Sequence, residues 1–228
     1  CNFRVGLNFE FEVAFTEHKE HSKELVKNAL SANFKKIISV GGDGSLHNIV
    51  NGIFKSTTDY KSIKLGVIPI GTGNDWVRSY KIPINYRKAI AIIKEEHTYY
   101  QDIGKMTLLT KNKEFFFNNI AGIGFDGHVV HKVHKYKYLG FLAYLTGALV
   151  SLVGFKRKNL HIEFNNTKIS QKSLMLLIGI GNYCGGGMQL TENVKTNDGL
   201  FDISYIKNVS IFTVLKYIGK LFKGTITE

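Results

Sequence analysis

The sequence predicts an α/β domain built on a parallel sheet, followed by a second domain of mainly antiparallel strands. Up to about residue 95, short apolar segments that suit buried strands alternate with helical patterns, which is typical of right-handed βαβ units. After Thr98, strand candidates follow one another without regular helical crossovers. We therefore expect a first domain at 1–97 and a second at 98–228, and a chain of 228 residues can form both cores.

Local patterns place the elements of the first domain. Alternating apolar positions at 9–15 predict a strand, and apolar residues on a helical spacing predict a helix over 18–32. Ser45 has a side chain that suits a helix N-cap, so we expect it to cap the next helix. The remaining elements expected here are strands at 35–40 and 64–70 and helices through 76–80 and over 85–96.

The second domain is expected to begin with a β-hairpin, because strand-like segments flank a turn at 111–113. The apolar stretch 139–155 lies at the short edge of the length that spans a bilayer. Glycines recur within this stretch, which favours a buried helix with close packing. Further strands are expected at 159–165, 174–181 and 200–206, and helices at 125–136, 139–154 and 210–222.

A glycine-rich turn, GGDGS at 41–45, follows the apolar strand 35–40. Its three glycines allow a tight bend and close approach to a ligand, and its amides together with the helix start form an anion site. Phosphate would repel Asp43 unless a cation lay between them, so this carboxylate predicts Mg²⁺ beside the phosphates of ATP. The alternative is a structural turn in which Asp43 is a cap.

A second glycine-rich turn, GTGND at 71–75, ends the next strand. It supplies a flexible backbone, a hydroxyl group and two side chains that can cap a helix. Turns at the carboxyl ends of successive parallel strands face one crevice, where α/β folds bind ligands. Neither turn contains the GxxxxGK[ST] pattern, so the chain is not a P-loop protein.

Both turns, read with their flanking residues 41–53 and 65–75, resemble the catalytic domain of the diacylglycerol kinase family. This family includes bacterial lipid kinases and sphingosine kinases. Other segments resemble its motifs in the same order along the chain. They are 15–17 with His21, 119–126, 181–182 with 185–187, and 197–202.

The resemblance implies an ATP-binding domain like that of 6-phosphofructokinase and NAD kinase, joined to a β-sandwich domain. ATP would lie between them, and a lipid hydroxyl would accept the phosphoryl group. Asp198 would be the general base, a role that suits a carboxylate within reach of the hydroxyl, and Asp43 would act in catalysis through Mg²⁺. The ATP contacts that the resemblance implies are Thr16, Gly42, Asp43, Gly44, Ser45, Leu46, His47, Asn48 and Thr72. The two turns themselves add Gly41, Gly71, Asn74 and Asp75 as expected ATP contacts.

The chain departs from the family pattern at several places. Ser45 replaces a threonine, and His47-Asn48 stands where many relatives have Asn-Glu or His-Glu, which removes one negative charge near the nucleotide. The family's first strand with its Asn-Pro loop and its last strands with an Asp-Gly-Glu are not present. Because the chain begins with Cys1, we expect it to be a piece of a longer protein.

The net charge of +12 predicts binding to polyanions such as ATP or an anionic leaflet. The basic residues are scattered and no recognition motif is present, so we do not expect nucleic-acid binding. Cys1 and Cys184 are too few for a disulfide framework, which favours a reducing cytoplasm. We thus expect a cytoplasmic protein peripherally associated with the membrane, where its lipid substrate lies. The sequence leaves the lipid and the oligomeric state open.

Other functions remain as alternatives. NAD kinase also uses a GGDG turn, and Asn48 together with the missing termini is compatible with a non-catalytic nucleotide or lipid sensor. The glycines at 122, 124 and 127 match a dinucleotide fingerprint, but no acid follows before Glu163. His128, His131 and His134 could form a metal-binding face, but no Cys or second histidine cluster accompanies them, which favours a solvated basic helix.

Overall fold

The fold was analysed in a computed structural model of the chain. The structure describes residues 11–18, 20–125, 127, 129, 142–152, 155, 158–189, 194–207 and 209–225. Within these residues an N-terminal α/β unit with a parallel sheet precedes a set of antiparallel sheets. This arrangement confirms the fold class expected from the sequence.

The first unit is built on two parallel strands, β1 (Lys36–Gly41) and β2 (Lys64–Pro69). Their connection contains α2 (Asp43–Ser56), and α1 (His21–Ser31) packs against α2. Two further helices follow β2, α3 (Asp75–Ser79) and α4 (Tyr86–Glu95). The core that joins α2, β2 and α3 consists of Leu46, Val50, Val67 and Val77.

Two expectations for this unit are wrong. Residues 11–17 form no strand, and Val13 and Phe15 are exposed, because this segment pairs with no neighbouring strand in the described part of the chain. Ser45 does not cap α2. The helix begins two residues earlier because Gly42 is extended, and the Gly42 carbonyl already accepts the amides of Ser45 and Leu46 at 3.1 Å each.

The expected hairpin is present. Strands β3 (Gly104–Leu108) and β4 (Lys113–Phe117) pair across a 3-10 turn at Leu109–Lys111. Asn51 on α2, only 1% exposed, joins this hairpin to the first unit. Its amide nitrogen donates to the Phe116 carbonyl at 2.8 Å, and its oxygen accepts the Phe116 amide at 3.0 Å. The Asn51 side chain therefore makes the two backbone hydrogen bonds to Phe116 that a neighbouring strand would otherwise make.

In the second half of the chain, the described residues form three antiparallel sheets. β5 (Ile120–Gly124) and β11 (Asp202–Ile206) flank β8 (Met175–Gly179) in a three-stranded sheet. The others are two-stranded, β6 (Lys158–Phe164) with β7 (Thr167–Ser173) and β9 (Tyr183–Cys184) with β10 (Met188–Gln189). The strands expected at 159–165, 174–181 and 200–206 are confirmed.

Helices in the second half are α5 (Leu142–Leu152) and α6 (Ile211–Lys223). Ser151 on α5 is fully buried whereas the neighbouring Val150 is 42% exposed, so the helix expected to be buried is buried on one side only. Among the residues that the structure describes, no helix combines the length and apolar character needed to cross a membrane. The helix expected at 125–136 lies largely outside the described residues, as do all three histidines at 128, 131 and 134.

We predict that Asn51→Ala lowers the stability of the protein by about 2–4 kcal/mol, because it leaves the amide and carbonyl of Phe116 without their buried partners. Urea unfolding, followed by circular dichroism, measures the change. Asn28→Ala, at an exposed position of α1, is the matched control and is expected to shift the midpoint little. Equal midpoints for the two variants would show that the Asn51 bridge contributes nothing.

Candidate functional site

The two glycine turns touch each other at the carboxyl edge of the parallel sheet. The Ile70 amide donates to the Gly41 carbonyl at 3.1 Å. A Cβ atom on Gly42 would lie 2.8 Å from the Cα atom of Gly71, and a Cβ on Gly71 would come closer still to Gly42. Because real Cβ atoms do not approach so closely, only glycine fits at either position. The turns therefore form one continuous backbone surface.

Asn74 closes the second turn. This residue is 4% exposed and has a left-handed backbone conformation with φ 52°. Its side-chain oxygen accepts the Gly71 amide at 3.1 Å, and its side-chain nitrogen donates to the Gly71 carbonyl at 2.6 Å. Asparagine tolerates the left-handed region better than most residues, so its presence here has a backbone reason. The buried Asn74 side chain thus fixes the backbone conformation of the turn.

Asp43 connects the two turns. Its Oδ2 accepts the Asp75 amide at 3.1 Å and its Oδ1 accepts the Trp76 amide at 3.0 Å. The carboxylate of the first turn therefore binds the N-terminal amides of α3, as the capping alternative requires. A carboxylate oxygen has more than one acceptor site, so both oxygens keep capacity for a further contact.

Asp75 joins the second turn to the glycine triplet 185–187. Both of its carboxylate oxygens accept the Gly186 amide, at 2.9 and 3.1 Å, and Arg78 Nε lies 3.9 Å from Oδ1. Burial raises the pKa of Asp75 to about 6, and the negative charge of Asp43 adds to the increase. The amides of the triplet donate hydrogen bonds that lower this pKa and so act against the increase. Asp75 therefore holds a residue of the second half against α3.

A cleft of about 150 Å³ opens beside Asp43. Two residues of its wall are fixed by Gln101, whose oxygen accepts Trp76 Nε1 at 2.7 Å and whose nitrogen donates to the Asn118 carbonyl at 2.5 Å. The wall thus combines the first unit with the link between β4 and β5. The lining residues are Asp43, His47, Trp76, Phe117, Asn118, Asn119 and Ile120.

His47 lies in this wall with a neutral ring near neutral pH. Burial lowers the pKa of His47, and the charge of Lys23 lowers it further, while Glu20 opposes the change. The Nε2 atom lies 3.4 Å from the side-chain nitrogen of Asn51. A neutral imidazole can exchange hydrogen bonds with a ligand without adding positive charge to the cleft.

The segment that begins at Asn119 supports the glycine-rich residues after β8. The Asn119 carbonyl accepts the amides of Ile180 and Gly181 at 2.8 and 3.1 Å. Its side-chain nitrogen donates to the Tyr183 carbonyl at 2.8 Å. Two of the segments singled out in the sequence, 119–126 and 181–182, are therefore in contact.

Asp198 lies on an exposed turn outside the lining of this cleft. Its Oδ1 accepts the Leu200 amide at 3.0 Å, and the neighbouring Gly199 amide donates to Asp102 at 2.7 Å. Phe201, three residues along the chain, stacks on Phe117 at 5.9 Å between ring centroids. Phe117 lines the cleft, so the turn that carries Asp198 is connected to its wall by one aromatic contact.

The other expected nucleotide contacts differ in accessibility. The hydroxyls of Ser45 and Thr72 are on exposed residues, and the amides of Asp43 and Gly44 at the start of α2 donate to no described group. Leu46 belongs to the core, so only its backbone can face a ligand. Thr16 is exposed, and no hydrogen bond among the described residues joins it to either turn.

Several residues of the site were not identified from the sequence. Trp76, Gln101, Phe117 and Asn118 have no motif that marks them, because their position follows from the packing of the hairpin against α2 and α3. The triplet 185–187, which contains the partner of Asp75, was singled out in the sequence, but its contact with Asp75 was not. The triplet at 185–187 has positive φ at all three glycines, 61°, 88° and 110°, and such a run indicates a backbone that approaches another group closely.

Comparison with known proteins finds two family matches along the chain. Residues 6–106 match the family described as the diacylglycerol kinase catalytic domain. Residues 119–228 match the family described as the YegS C-terminal NAD kinase beta sandwich-like domain. These matches, together with the contacting glycine turns and the two-part fold, define the architecture of the chain. It is of the diacylglycerol kinase type, with an α/β part followed by a β-sandwich-like part.

Relatives carry the corresponding names. A diacylglycerol kinase of Staphylococcus haemolyticus is 30% identical over 204 residues, which are 89% of this chain and 59% of the relative. One from Staphylococcus aureus is 32% identical over 184 residues, 80% of this chain and 56% of the relative. A crystal structure of a diacylglycerol kinase from Bacillus anthracis has a TM-score of 0.65 at 25% identity, covering 90% of this chain and 65% of that one.

The chain is thus similar to the diacylglycerol kinase catalytic-domain family over residues 6–106 and to the YegS C-terminal domain family over residues 119–228. It spans about three fifths of the length of the curated relatives that it matches. The two family matches leave residues 107–118 between them, and the division of the chain at 97 stays a prediction.

We predict that Gly71→Ala separates the two turns and destabilises the protein by about 1–3 kcal/mol, because the new methyl group would overlap the Gly42 backbone and lie 2.9 Å from Asn74 Oδ1. Thermal unfolding measures the effect. Gly44→Ala is the control for stability, since a Cβ atom there meets nothing within 4 Å. A Gly71→Ala protein as stable as Gly44→Ala would refute the contact.

We predict a pH-dependent contribution from Asp75. Its folded-state pKa of about 6 exceeds the ordinary value of 3.8, so this group binds more protons in the folded state between these values. Asp75 therefore stabilises the folded state at pH values below its unfolded-state pKa. This stabilisation is lost as the pH rises through its folded-state pKa. Relative to Asp75→Asn, the wild-type protein should lose up to about 3 kcal/mol from about pH 4 to about pH 7.

Urea unfolding of wild type and Asp75→Asn in parallel across this range is the measurement. The remaining titrating groups are common to both proteins, so their contributions largely cancel in the difference. A difference that stays constant with pH would show that Asp75 titrates near its ordinary pKa.

Proposed function

We propose that the protein to which this chain belongs is an ATP- and Mg²⁺-dependent lipid kinase. It transfers the γ-phosphate to a lipid hydroxyl of the diacylglycerol or sphingoid type. The contact between the two glycine turns carries this proposal, because it makes one backbone surface beside a cleft that includes Asp43. Similarity to a kinase family supports the use of ATP.

The phosphates would bind at the start of α2. The amides of Asp43 and Gly44 are available there, and a helix N-terminus favours negative charge. The hydroxyls of Ser45, Thr72 and Thr16 are accessible for further contacts. The remaining contacts proposed here are the backbone of Gly41, Gly42, Leu46 and Gly71 and the side chains of His47 and Asn48. Asn74 and Asp75, also expected from the sequence as contacts, are buried and bonded to Gly71 and Gly186, so their side chains would shape the site rather than touch the nucleotide.

The donor set at Asp43 fits Mg²⁺. Each carboxylate oxygen accepts one backbone amide and keeps acceptor capacity, directly or through water. Mg²⁺ in kinases keeps several waters and takes one or two carboxylates together with substrate phosphates. Bound in this way, the ion would neutralise charge on the transferred group. Asp43 itself would keep α3, and with it the second turn, in register with the phosphates.

The acceptor would approach from the second half of the chain. Asp198 would act as general base for its hydroxyl, because Oδ2 of this exposed carboxylate accepts no hydrogen bond from the described residues. The turn is held by Asp102, whose amide donates to the Thr196 carbonyl at 2.8 Å. Asp102 thus holds the turn through two hydrogen bonds, one to its side chain and one from its backbone amide.

We place this reaction at an anionic membrane surface on the cytoplasmic side, with the protein peripherally bound. The net charge of +12 supports the attraction, which a leaflet rich in anionic lipid would provide. No contact with nucleic acid is part of this proposal.

One observation favours a second candidate, a non-catalytic member that binds nucleotide or lipid. Asn48 stands on the first turns of α2, where the family pattern has an acid, and the charge is not replaced at His47. ATP binding without phosphoryl transfer would identify this case. NAD kinase is tested in the same experiment by offering NAD as acceptor.

We predict that the full-length protein phosphorylates a lipid acceptor and that Asp43→Asn and Asp198→Asn each lower kcat by at least about 100-fold. The assay uses labelled ATP, Mg²⁺ and phosphatidylglycerol-containing vesicles with diacylglycerol or sphingosine, and NAD in a separate arm. Asp59→Asn is the control, an exposed carboxylate that bonds Ser62.

Each arm of this experiment separates one part of the proposal. If phosphate is transferred to NAD and to neither lipid, the protein is an NAD kinase and the lipid kinase proposal is wrong. Unchanged kcat in either variant would remove the role given to that residue, and Asp43→Asn is expected also to weaken ATP binding.

A further inference from the structure

Three side chains that can bind a metal meet where α1 begins, and none of them lines the cleft. His18, His21 and Glu24 each offer one ligand atom, and these atoms all lie within 4.8 Å of one another. His21 is half-buried, and the other two are exposed. Neither the glycine turns nor Asp198 contributes to this group.

The local backbone brings the three together. Glu20 has φ 68°, and the His21 amide donates to the His18 carbonyl at 3.3 Å, which closes a turn. The rings of His18 and His21 stack with centroids 4.5 Å apart and planes 11° from parallel. Glu24 follows His21 by one helical turn and so lies on the same face. Glu24 forms no ion pair with the described residues, because Lys23 pairs with Glu20 at 3.1 Å.

We propose that His18, His21 and Glu24 form a binding site for a divalent transition metal, with Zn²⁺ as the preferred ion. Two imidazoles and a carboxylate suit Zn²⁺ and its neighbours rather than the hard cations that take oxygen ligands alone. Three protein ligands leave a fourth tetrahedral position for water. Because His18 and Glu24 are exposed, their side chains can rotate to bring the ligand atoms to the spacing of a tetrahedron.

Metal binding at this site is coupled to Glu17. The Glu17 amide donates to His21 Nδ1 at 3.0 Å, so the neutral ring carries its proton on Nε2. A metal on Nδ1 would displace the amide directly. A metal on Nε2 requires the proton to move to Nδ1, where it also excludes the Glu17 amide. In both cases the hydrogen bond is lost, and the segment next to Thr16 changes its position.

Metal binding at this site requires neither the nucleotide nor Mg²⁺, although the hydrogen bond that it breaks lies next to Thr16, one of the proposed ATP contacts. Mg²⁺ beside Asp43 would be bound by oxygen ligands together with a nucleotide, whereas the histidine site needs neither. A metal-binding measurement without ATP therefore tests it alone, and failure of the kinase assay would not affect the result.

The experiment uses the full-length protein after treatment with EDTA, and Co²⁺ as a spectroscopic probe. We expect a visible absorption band that saturates at one Co²⁺ per chain with a Kd below about 10 µM, and Zn²⁺ should displace it. His18→Ala and His21→Ala should each weaken binding at least about tenfold. His97→Ala, at an exposed histidine after α4, is the control and should retain the band.

Two results would overturn the site. The first is the lack of saturable Co²⁺ or Zn²⁺ binding in the wild-type protein. The second is equal affinity in His21→Ala and His97→Ala, which would place the ion elsewhere. The coupling has its own readout, the amide resonance of Glu17, which should shift on addition of Zn²⁺ to the wild type and not to His18→Ala.

Discussion

Two neighbouring carboxylates, those of Asp43 and Asp75, hold the candidate site together. Asp43 accepts the first two amides of α3, and Asp75 on α3 accepts the Gly186 amide from the second half of the chain. The first turn, the second turn and the glycine triplet are thus joined in series by hydrogen bonds to charged oxygens. Such bonds are stronger than those between neutral groups, and each ends on backbone, so their geometry depends little on neighbouring side chains.

Placing the two carboxylates close together is electrostatically unfavourable, and the effect is seen at Asp75. Burial and the charge of Asp43 both disfavour its ionised form, and the pKa of Asp75 rises to about 6 as a result. Two like charges so close are seldom kept without a functional or structural reason. A cation beside Asp43 would relieve the repulsion, which is a physical reason for the pair to occur beside the proposed phosphate site.

The sequence was informative where local chemistry decides the structure. Glycine turns after apolar strands indicated β1, α2 and β2 correctly, and the segments 119–126 and 181–182 were recognised before their contact through Asn119 was known. It was misleading at 9–15, because alternation indicates only that a strand could form, whereas pairing depends on a neighbour. The capping prediction for Ser45 failed because Gly42 can adopt an extended conformation that starts the helix two residues earlier. Gln101 could not be found, since its role arises only when Trp76 and Asn118 meet.

Trp76 has a consequence of a different kind. It is the only tryptophan of the chain, it lines the cleft, and its ring nitrogen donates to Gln101. The intrinsic fluorescence of this chain therefore originates largely at one place, the wall of the cleft. Entry of the proposed nucleotide or lipid would change the polarity around that single indole, so the chain would carry its own optical reporter of occupancy.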